Sequence, residues 1–487
     1  MKLKSFSQNT LYYAIGIIII RFTTFLLIPL YTEFLSKEDY GLLATLLFTT
    51  EIIITINDVG MRSAFMRFFS EYQSSDKLND LIGSSTFINI VVGILLLGIS
   101  FFIPASYLSK LFQVEVLENV IILTILVGIF RTLSLNILSY FRAKNQGVNY
   151  MIISIVSSVL LIISTWIVLK YFDWGINGVL FAQIFTYGLS WLFVLVWIII
   201  KDGLKITSHT SKILFKFGYP LILATSGTML VNTSGNYFLG AFRSLENVAV
   251  LAVAYKVASI GIMVLIAPFQ LAYEPYVFNN KNNPELKNII SKIITFISLA
   301  YLLVGILILY VFKYLMNIIG NGGYSDAYVL VIFLLPGLGF TALNYIGQSQ
   351  IHLKNKTKTT GFISFIVTII SIIITYFSTK FYGSYGTAFG INTYLIISGF
   401  ALFYYGNKEF KINVDIKRIN IILIVGLLVL TAFYFLSFQS YLVFYMISTI
   451  LIVFILLGFL FSKFLLNNEK ELLLNGFNKI LKSVKLR

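Results

Sequence analysis

Apolar runs of about 20 residues recur from one end of this chain to the other. A helix of that length crosses the roughly 30 Å of hydrocarbon in a lipid bilayer. Because lipid cannot hydrogen-bond to exposed backbone groups, a chain that crosses it must form helices or a closed barrel. These runs are apolar on every side and lack the alternation of barrel strands. We therefore expect an all-α membrane protein.

The apolar runs divide the 487 residues into about fourteen transmembrane spans. Composition agrees with this, since 58% of the residues are hydrophobic, 11% are charged and the mean hydropathy is +0.88. A soluble chain this apolar could not cover its surface with polar groups. The expected spans are 10–32, 40–60, 81–104, 118–141, 149–171, 176–200, 213–240, 246–272, 288–312, 325–349, 359–379, 384–406, 419–437 and 441–462.

Lysine and arginine are distributed unevenly between the two sides of the expected membrane. If the N-terminus is cytoplasmic, 27 of the 36 basic residues fall in cytoplasmic connections and tails, and six fall outside. This distribution follows the positive-inside rule and predicts that both termini are cytoplasmic. The net charge of +16 therefore reflects topology and anionic inner-leaflet lipid, and we expect no nucleic-acid partner. Residues 467–487 are expected to form a cytoplasmic amphipathic tail.

The two halves of the chain contain an internal repeat. The segment FLSKEDYGLLATLLF, beginning at Phe34, matches FRSLENVAVLAVAYK, beginning at Phe242, and the same spacing places Gly175 on Gly383. Six spans separate the copies, so both copies have the same orientation and are related by an axis along the membrane normal. We expect two pseudo-symmetric six-helix lobes around a central cavity, with two further helices. The first lobe, the second lobe and the additional helices are expected at 1–208, 209–412 and 413–466.

Several kinds of chemistry are missing from the sequence. The chain has no cysteine, which excludes disulfides and thiol chemistry. Its two histidines, His209 and His352, fall in short basic connections, and no cluster of His, Glu or Asp has metal-ligand spacing. A P-loop motif is absent, and no outside loop exceeds about a dozen residues. We therefore expect a transporter without a cofactor or metal, rather than an enzyme.

Four charged residues fall near the middle of expected spans, namely Arg21, Glu51, Arg131 and Lys256. At 1.5 Å per residue, each lies roughly 15–20 Å below the outer surface. An ionisable group at that depth is costly, so each is a candidate functional residue. A structural alternative is an ion pair between Arg21 and Glu51, which would leave Arg131 and Lys256 without an acidic neighbour. An interior with three bases and one acid suits an anionic ligand such as a phosphate or an acidic sugar.

Polar residues at helical spacing mark one face of several spans. Glu51, Thr55 and Asp58 share a face of span two, where Asp58 is a candidate coupling or ion-pair residue and is equally well explained as interfacial. Asn232 and Asn236 on span seven are candidates for hydrogen bonding to sugar hydroxyls. The alternative for these polar stripes is hydrogen bonding between helices. The other stripe residues are Thr225 and Thr228 on span seven and Thr341, Asn344 and Gln348 on span ten.

Four prolines lie inside or at the ends of spans one, seven, eight and ten. A proline frees a backbone carbonyl and permits a helix to bend. We therefore expect these spans to move during alternating access. The prolines are Pro29, Pro220, Pro268 and Pro336.

The sequence from SFSQNTLYY to LSKEDYGLLA carries a family pattern. A proline ends span one, and a Leu-Ser/Thr, acidic, Tyr-Gly turn opens span two, which here are Pro29, Leu35 and Asp39-Tyr40-Gly41. This opening resembles that of bacterial polysaccharide-biosynthesis flippases of the multidrug/oligosaccharidyl-lipid/polysaccharide exporter superfamily. The plan of six, six and two spans extends the resemblance to the whole chain.

This resemblance implies a flippase in the bacterial cytoplasmic membrane. Such proteins move a polyprenyl-diphosphate-linked oligosaccharide from the inner to the outer leaflet by alternating access, for example in capsule or lipopolysaccharide biosynthesis. Spans one, two, seven and eight line their cavity, and Arg21, Glu51 and Lys256 fall on three of these spans. The cationic residues would hold the diphosphate, and Asn232 and Asn236 would contact the glycan. The implied partners of a monomeric protein are the lipid-linked glycan, membrane lipid, H⁺ or Na⁺ as a coupling ion, and a polysaccharide polymerase.

Two other functions stay open at this point. A cation-coupled multidrug antiporter of the same superfamily is the nearest alternative. Such antiporters commonly have twelve spans and an acidic site on the first helix, whereas span one here presents Arg21. A membrane polysaccharide polymerase or ligase belongs to a different class, and such enzymes usually carry a large external loop with catalytic arginine or histidine.

Overall fold

The computed structural model describes residues 2–75, 77–112, 118–219, 222, 226–281, 283–354 and 356–461. Within these ranges every regular element is a helix, which confirms the all-α prediction. The helices of the first half are α1 (Lys2–Phe34), α2 (Lys37–Asp58), α3 (Met61–Ser74), α4 (Leu78–Ser100), α5 (Ala105–Phe112), α6 (Glu118–Ala143), α7 (Gly147–Ile167), a π-helical turn (Val168–Phe172) and α8 (Gly175–Asp202).

The second half continues with helices of similar length. They are α9 (Ser208–Gly218), α10 (Gly227–Phe242), α11 (Leu245–Ala258), a π-helical turn (Ile262–Ile266), α12 (Ala267–Asn279), α13 (Leu286–Ile318), a 3₁₀ turn (Ile319–Gly322), α14 (Ala327–His352), α15 (Thr357–Glu409), α16 (Ile416–Leu436) and α17 (Tyr441–Phe461). Following the expected plan of six and six spans, we call α1–α8 the first lobe and α10–α15 the second lobe.

Twelve helical segments of the described chain are long and apolar enough to cross a membrane. One of them, Lys358–Glu409, covers two of the expected spans, which meet at the non-helical residue Gly383. The expected span at 213–240 is divided between α9, which ends at Gly218, and α10, which begins at Gly227. Counting α15 as two crossings, and α9 with α10 as one more, agrees with the predicted total of about fourteen.

The repeat inferred from the sequence has the same local structure in its two copies. Ser36 begins α2 and its hydroxyl accepts the backbone N–H of Asp39 at 3.0 Å. Ser244 begins α11, and its hydroxyl accepts the N–H of Asn247 at 3.3 Å. Each serine satisfies a helix N–H group that would otherwise have no partner. Helices α2 and α11 are therefore equivalent elements of the two lobes.

The turns between later helices also match. Gly175 and Gly383 have φ angles of 51° and 56°, in the left-handed region that glycine adopts at little cost. Gly175 begins α8, and Gly383 divides the two halves of α15. Residues at the same spacing thus place equivalent turns in both lobes.

The equivalent helices α2 and α11 contact each other at their first turns. A Cβ atom at Gly41 would lie 1.8 Å from the carbonyl oxygen of Leu245. Only a residue without a side chain permits this approach of the two backbones. The lobes are thereby joined tightly at one side of the membrane, which we call the closed side.

The other side of the membrane holds the connections that follow α3, α6 and α8, and we call it the basic side because most lysines and arginines are predicted to lie there. Here α9 packs on α3 and α4 of the first lobe, although it follows the expected lobe boundary at 208. Tyr72 donates a hydrogen bond to Thr210 at 3.2 Å, and the rings of Phe68 and Phe217 are 5.5 Å apart. The connection between the lobes is therefore held against the first lobe.

The last two helices are attached to the second lobe near the closed side. The ammonium group of Lys313 on α13 donates to the backbone oxygen of Ser437, at the end of α16, at 2.5 Å. The same group lies over the rings of Tyr328, Tyr441 and Phe444. The expected amphipathic tail at 467–487 lies outside the described residues.

The prolines occupy different positions in the helices. Pro29 and Pro336 lie inside α1 and α14, and Pro268 lies in the first turn of α12, directly after the π-helical turn. Pro220 lies outside the described residues. The break at a π-helical turn is a feature that often marks a functional position in a helix. The movement of these spans stays a prediction.

We predict that Gly41→Ala lowers the apparent Tm of the purified protein, because the new methyl group must separate α2 from α11. Overpacking of this kind costs roughly 1–3 kcal/mol. Gly98→Ala is the matched control, since a Cβ atom there meets nothing within 4 Å and alanine favours a helix by about 1 kcal/mol. Thermal unfolding in detergent measures both variants, and equal Tm values would contradict the close contact.

Candidate functional site

Glu51 and Arg131 form an ion pair between α2 and α6. Nη1 of Arg131 lies 2.7 Å from Oε1 of Glu51, and the side chains are 21% and 31% exposed, respectively. The alternative in which Arg21 pairs with Glu51 and leaves Arg131 without an acidic neighbour is therefore wrong. An ion pair with Glu51 was expected, but its partner among the described residues is Arg131 and not Arg21.

A glycine explains why α6, rather than α1, supplies the partner of Glu51. A Cβ atom at Gly128 would lie 2.4 Å from Cγ2 of Ile53, so α6 approaches α2 closely at this point. Arg131 lies three residues after Gly128, on the same helical face. The close approach brings its guanidinium to Glu51, two residues before Ile53.

Arg21 lies on α1 with an exposed side chain. Within the described part of the chain it forms no ion pair, but it interacts electrostatically with Tyr150 on α7 and Tyr255 on α11. Glu51 also interacts electrostatically with Tyr255. The phenol of Tyr255 thus links the neighbourhoods of Arg21 and Glu51.

Lys256 contacts aromatic rings rather than a carboxylate. Its ammonium nitrogen is 5.4 Å from the ring centre of Tyr31 and 5.9 Å from that of Tyr40, and no acidic residue in the described ranges pairs with it. The Cα–Cβ bonds of a helix tilt toward its N-terminus, so the side chain extends toward the closed side, where α11 begins. This contact crosses between the lobes, since Tyr31 and Tyr40 belong to α1 and α2.

Tyrosines connect Lys256 to the ion pair. Tyr31 interacts electrostatically with Tyr187 and Arg131. The guanidinium of Arg131 lies 5.9 Å from the ring centre of Tyr187. Lys256 therefore contacts Tyr31, Arg131 contacts Tyr187 and Glu51, and Tyr31 lies within electrostatic range of Tyr187 and Arg131. We call these residues, together with Arg21 and Tyr255, the central network.

The central network lies near the middle of the membrane. At 1.5 Å per residue, its four charged residues are roughly 17–21 Å from the closed-side ends of their helices. All four side chains are at least partly exposed. Three positive charges and one negative charge leave the network with a net charge of about +2.

The asparagines of α10 are more buried than the charged residues. Nδ2 of Asn232 donates to the hydroxyl of Tyr255 at 2.9 Å, which attaches α10 to the central network. Asn232 and Asn236 are 5% and 2% exposed, and each has a buried polar atom without a hydrogen-bond partner. Thr225 of the same predicted stripe lies outside the described residues.

Asp58 lies apart from the central network. Its carboxylate is 3.1 Å from Nε of Arg62 and accepts the backbone N–H of Arg62 at 3.3 Å. The backbone between them turns through Val59 and Gly60, with φ angles of 46° and 68°. Asp58 therefore stabilises the bend between α2 and α3.

The polar stripe on α14 joins helices. Nδ2 of Asn344 donates to the hydroxyl of Ser398 on α15 at 3.0 Å, and Gln348 donates to Asn344. Thr341 has a buried hydroxyl without a partner. The alternative of hydrogen bonding between helices thus describes Asn344, whereas Gln348 bonds within α14.

An apolar groove lies between the second lobe and α16. It has a volume of about 730 Å³ and is lined mainly by aliphatic and aromatic residues of α13, α14 and α16, including Leu302, Phe340 and Leu427. Asn407, Lys411 and Asn413 line the same groove near the start of α16. The groove is thus mainly apolar and has a polar, cationic end on the basic side.

A family model described as polysaccharide biosynthesis protein matches residues 6–281, more than half of the chain. The chain belongs to the polysaccharide biosynthesis protein family. The matched region contains α1 to α11 and therefore every member of the central network. No curated protein matches the sequence.

Solved structures of membrane transporters share the fold. The lipid II flippase MurJ, in an inward closed conformation, is 16% identical with a TM-score of 0.72, over 92% of this chain and 97% of that one. An inward-facing MATE family multidrug resistance transporter of the MOP superfamily is 15% identical with a TM-score of 0.60, over 82% and 94%. A MOP superfamily transporter from Pyrococcus furiosus is 16% identical with a TM-score of 0.56, over 82% and 95%. At these identities the likeness describes the fold alone.

The tyrosines of the central network were not predicted from the sequence. Tyr31, Tyr187 and Tyr255 are three of 30 tyrosines in an apolar chain, and nothing in their spacing marks them. Their positions relative to the charged residues could have indicated them, since Tyr255 directly precedes Lys256 and Tyr31 lies about three helical turns after Arg21. The charged residues themselves were found by depth, and the structure places Lys256 over Tyr31 and Arg131 over Tyr187.

We predict that Arg131→Gln lowers the stability of the protein more than the double variant Glu51→Gln/Arg131→Gln. The single change leaves the carboxylate of Glu51 without its partner, which costs roughly 1–3 kcal/mol, whereas the double change removes both charges. Thermal unfolding of both variants and of Glu51→Gln completes a double-mutant cycle. Strictly additive effects would contradict a stabilising pair.

Proposed function

We propose that this chain is a flippase that moves a polyprenyl-diphosphate-linked oligosaccharide from the inner to the outer leaflet by alternating access. The observation that carries the proposal is the central network, in which cationic side chains from both lobes meet at mid-membrane. Membership of the polysaccharide biosynthesis protein family and the transporter fold support it.

The diphosphate of such a substrate fits the charge of the network. Lys256 and Arg21 have no carboxylate partner within the described ranges, so their positive charges are free to attract an anion. Opposite charges attract more strongly where little water is present, and arginine and lysine both bind phosphate oxygens well. Arg131 is already neutralised by Glu51 and would orient the site rather than hold the anion.

The polyprenyl tail requires an apolar surface that is continuous with lipid. The groove between the second lobe and α16 offers about 730 Å³ of mainly apolar space next to the membrane. A lipid tail could remain in this groove while the polar headgroup crosses through the protein. The groove thereby supports a lipid-linked substrate over a small soluble one.

The alternatives fit the same observations less well. A multidrug antiporter that binds organic cations is disfavoured by a net positive charge at mid-membrane. A polymerase or ligase would need an external loop with catalytic residues, whereas α1 and α2 are joined on the closed side by only Leu35 and Ser36. We therefore assign transport rather than catalysis.

The proposal includes the bacterial cytoplasmic membrane as the location, with both termini in the cytoplasm. The basic side then faces the cytoplasm, in line with the excess of lysine and arginine there. A monomer would suffice for transport, since both lobes belong to one chain. A polysaccharide polymerase on the outer side would use the translocated glycan.

Energy coupling through Glu51 is a separate part of the proposal. H⁺ or Na⁺ could bind this carboxylate only after the 2.7 Å ion pair with Arg131 opens. If Glu51 couples transport to an ion gradient, Glu51→Gln will remove the dependence of flipping on that gradient. Flipping in vesicles with and without a pH or Na⁺ gradient measures this, and an unchanged gradient dependence would exclude Glu51 as the coupling residue.

We predict that Lys256→Met reduces flipping by roughly tenfold to a hundredfold, since a charged contact contributes about 1.5–3 kcal/mol. Lys256→Arg should retain most of the activity because it keeps the charge. The measurement is the accumulation of lipid-linked oligosaccharide in the inner leaflet, together with the amount of surface glycan.

Lys201→Met is the matched control for this experiment. Lys201 also lies over an aromatic ring, 4.8 Å from the centre of Trp197, but it is at the basic-side end of α8 and outside the central network. Equal amounts of each variant in the membrane exclude an effect on insertion. Normal flipping by Lys256→Met, or equal losses in both lysine variants, would contradict the proposed site.

A further inference from the structure

Helix α9 presents two ridges of side chains to a cleft on the basic side. Residues four apart in a helix lie on one face. Ser208, Lys212 and Lys216 form a polar and cationic ridge, which we call the lysine ridge. Ser211, Phe215 and Tyr219 form the neighbouring ridge. Both ridges line a cleft of about 610 Å³, whose other wall includes Phe87 and Ile88 of α4.

The two ridges differ in the chemistry they offer. Lys212 and Lys216 are exposed, and no carboxylate of the described residues forms an ion pair with either one. Phe215 and Phe87 are 48% and 42% exposed, so the cleft also presents apolar surface. The hydroxyl of Ser211, on the second ridge, is buried and has no hydrogen-bond partner. The cleft therefore combines positive charge, a hydrogen-bond donor and aromatic surface.

Helix α9 is fixed at the level of the membrane surface. The backbone N–H of Thr207, just before α9, donates to the hydroxyl of Ser84 on α4 at 3.2 Å. At its other end, a Cβ atom at Gly218 would lie 2.1 Å from the backbone oxygen of Val59. Ser84 is six residues into α4, roughly 9 Å from the start of that helix. The cleft thus spans the depth at which lipid headgroups give way to acyl chains.

We propose that this cleft binds an anionic phospholipid of the leaflet on the basic side. The phosphodiester lies on Lys212 and Lys216 and accepts a hydrogen bond from Ser211. The acyl chains begin between Phe215 and Phe87. Charge complementarity selects this occupant, since a negative headgroup next to an apolar tail matches a lysine ridge next to an aromatic one.

The occupant is a bulk phospholipid rather than the lipid-linked substrate. None of the residues lining the cleft belongs to the central network or to the apolar groove beside α16. Helix α9 also precedes α10 in the connection between the lobes. A bound phospholipid would therefore hold that connection against the first lobe, and this inference does not depend on which substrate the protein moves.

The test is lipid binding to the full chain, purified in detergent and measured by native mass spectrometry. Phosphatidylglycerol is the anionic probe and phosphatidylcholine the zwitterionic one. We expect Lys212→Gln/Lys216→Gln to weaken phosphatidylglycerol binding roughly thirtyfold, since each lysine near a membrane surface contributes about fivefold. Phosphatidylcholine binding should change little, and Phe215→Ala should weaken the binding of both lipids.

Lys354→Gln/Lys358→Gln is the matched control, because these two lysines are four residues apart, exposed, and outside the cleft. It should bind phosphatidylglycerol as the unchanged protein does. Unchanged binding by the α9 variant, or an equal loss in the control, would overturn the proposal. Displacement of phosphatidylglycerol by a polyprenyl diphosphate would also overturn it, because the cleft would then belong to the transport path.

Discussion

The ion pair between Glu51 and Arg131 joins α2 to α6 near the middle of their helices, where each charge is partly removed from water. Removal from water costs each ion several kcal/mol, and only a partner at contact distance offsets that cost. The two charged groups are 2.7 Å apart, which is contact distance, and both side chains remain partly exposed, which lowers the cost of removing them from water. Because Glu51 is paired with Arg131, it does not neutralise the positive charges of Arg21 and Lys256, which can attract an anion. The choice of ion-pair partner for Glu51 therefore determines which positive charges in the interior have no acidic partner.

The two lobes have equivalent backbone elements but different charged residues at equivalent positions. Helices α2 and α11 are equivalent, begin with the same serine cap and touch at Gly41 and Leu245. At the repeat spacing of 208 residues, however, Lys256 corresponds to Phe48 and Glu51 to Ser259. The packing of the lobes thus tolerates different side chains at equivalent depths. The first lobe contributes the ion pair and the second a single lysine, so a bound anion would meet a different surface on each side.

Helix positions, the repeat and the depth of each charge could be predicted from the sequence, because hydropathy and helical rise determine them. The partner of Glu51 could not, since Arg21 and Arg131 lie at similar depths and depth does not specify the direction in which a side chain points. That direction depends on the close approach of Gly128 to Ile53, which involves two distant segments. Tyr31 and Tyr187 were missed for a similar reason, since an aromatic residue in an apolar span gives no indication of its neighbours. The division of span seven into α9 and α10 also depends on packing against α3 and α4.

The contact between Lys256 and the two tyrosines would suit the proposed alternating access. Tyr31 and Tyr40 belong to the first lobe and Lys256 to the second, so the contact would be broken if the lobes separated on the closed side. A cation–π contact contributes only about 0.5–2 kcal/mol, much less than a buried ion pair. A diphosphate that binds Lys256 would replace this weak contact by a strong one, while the Glu51–Arg131 pair within the first lobe stays intact. The ligand would then favour one arrangement of the lobes over the other, and such a difference in affinity is what allows a substrate to drive a conformational change.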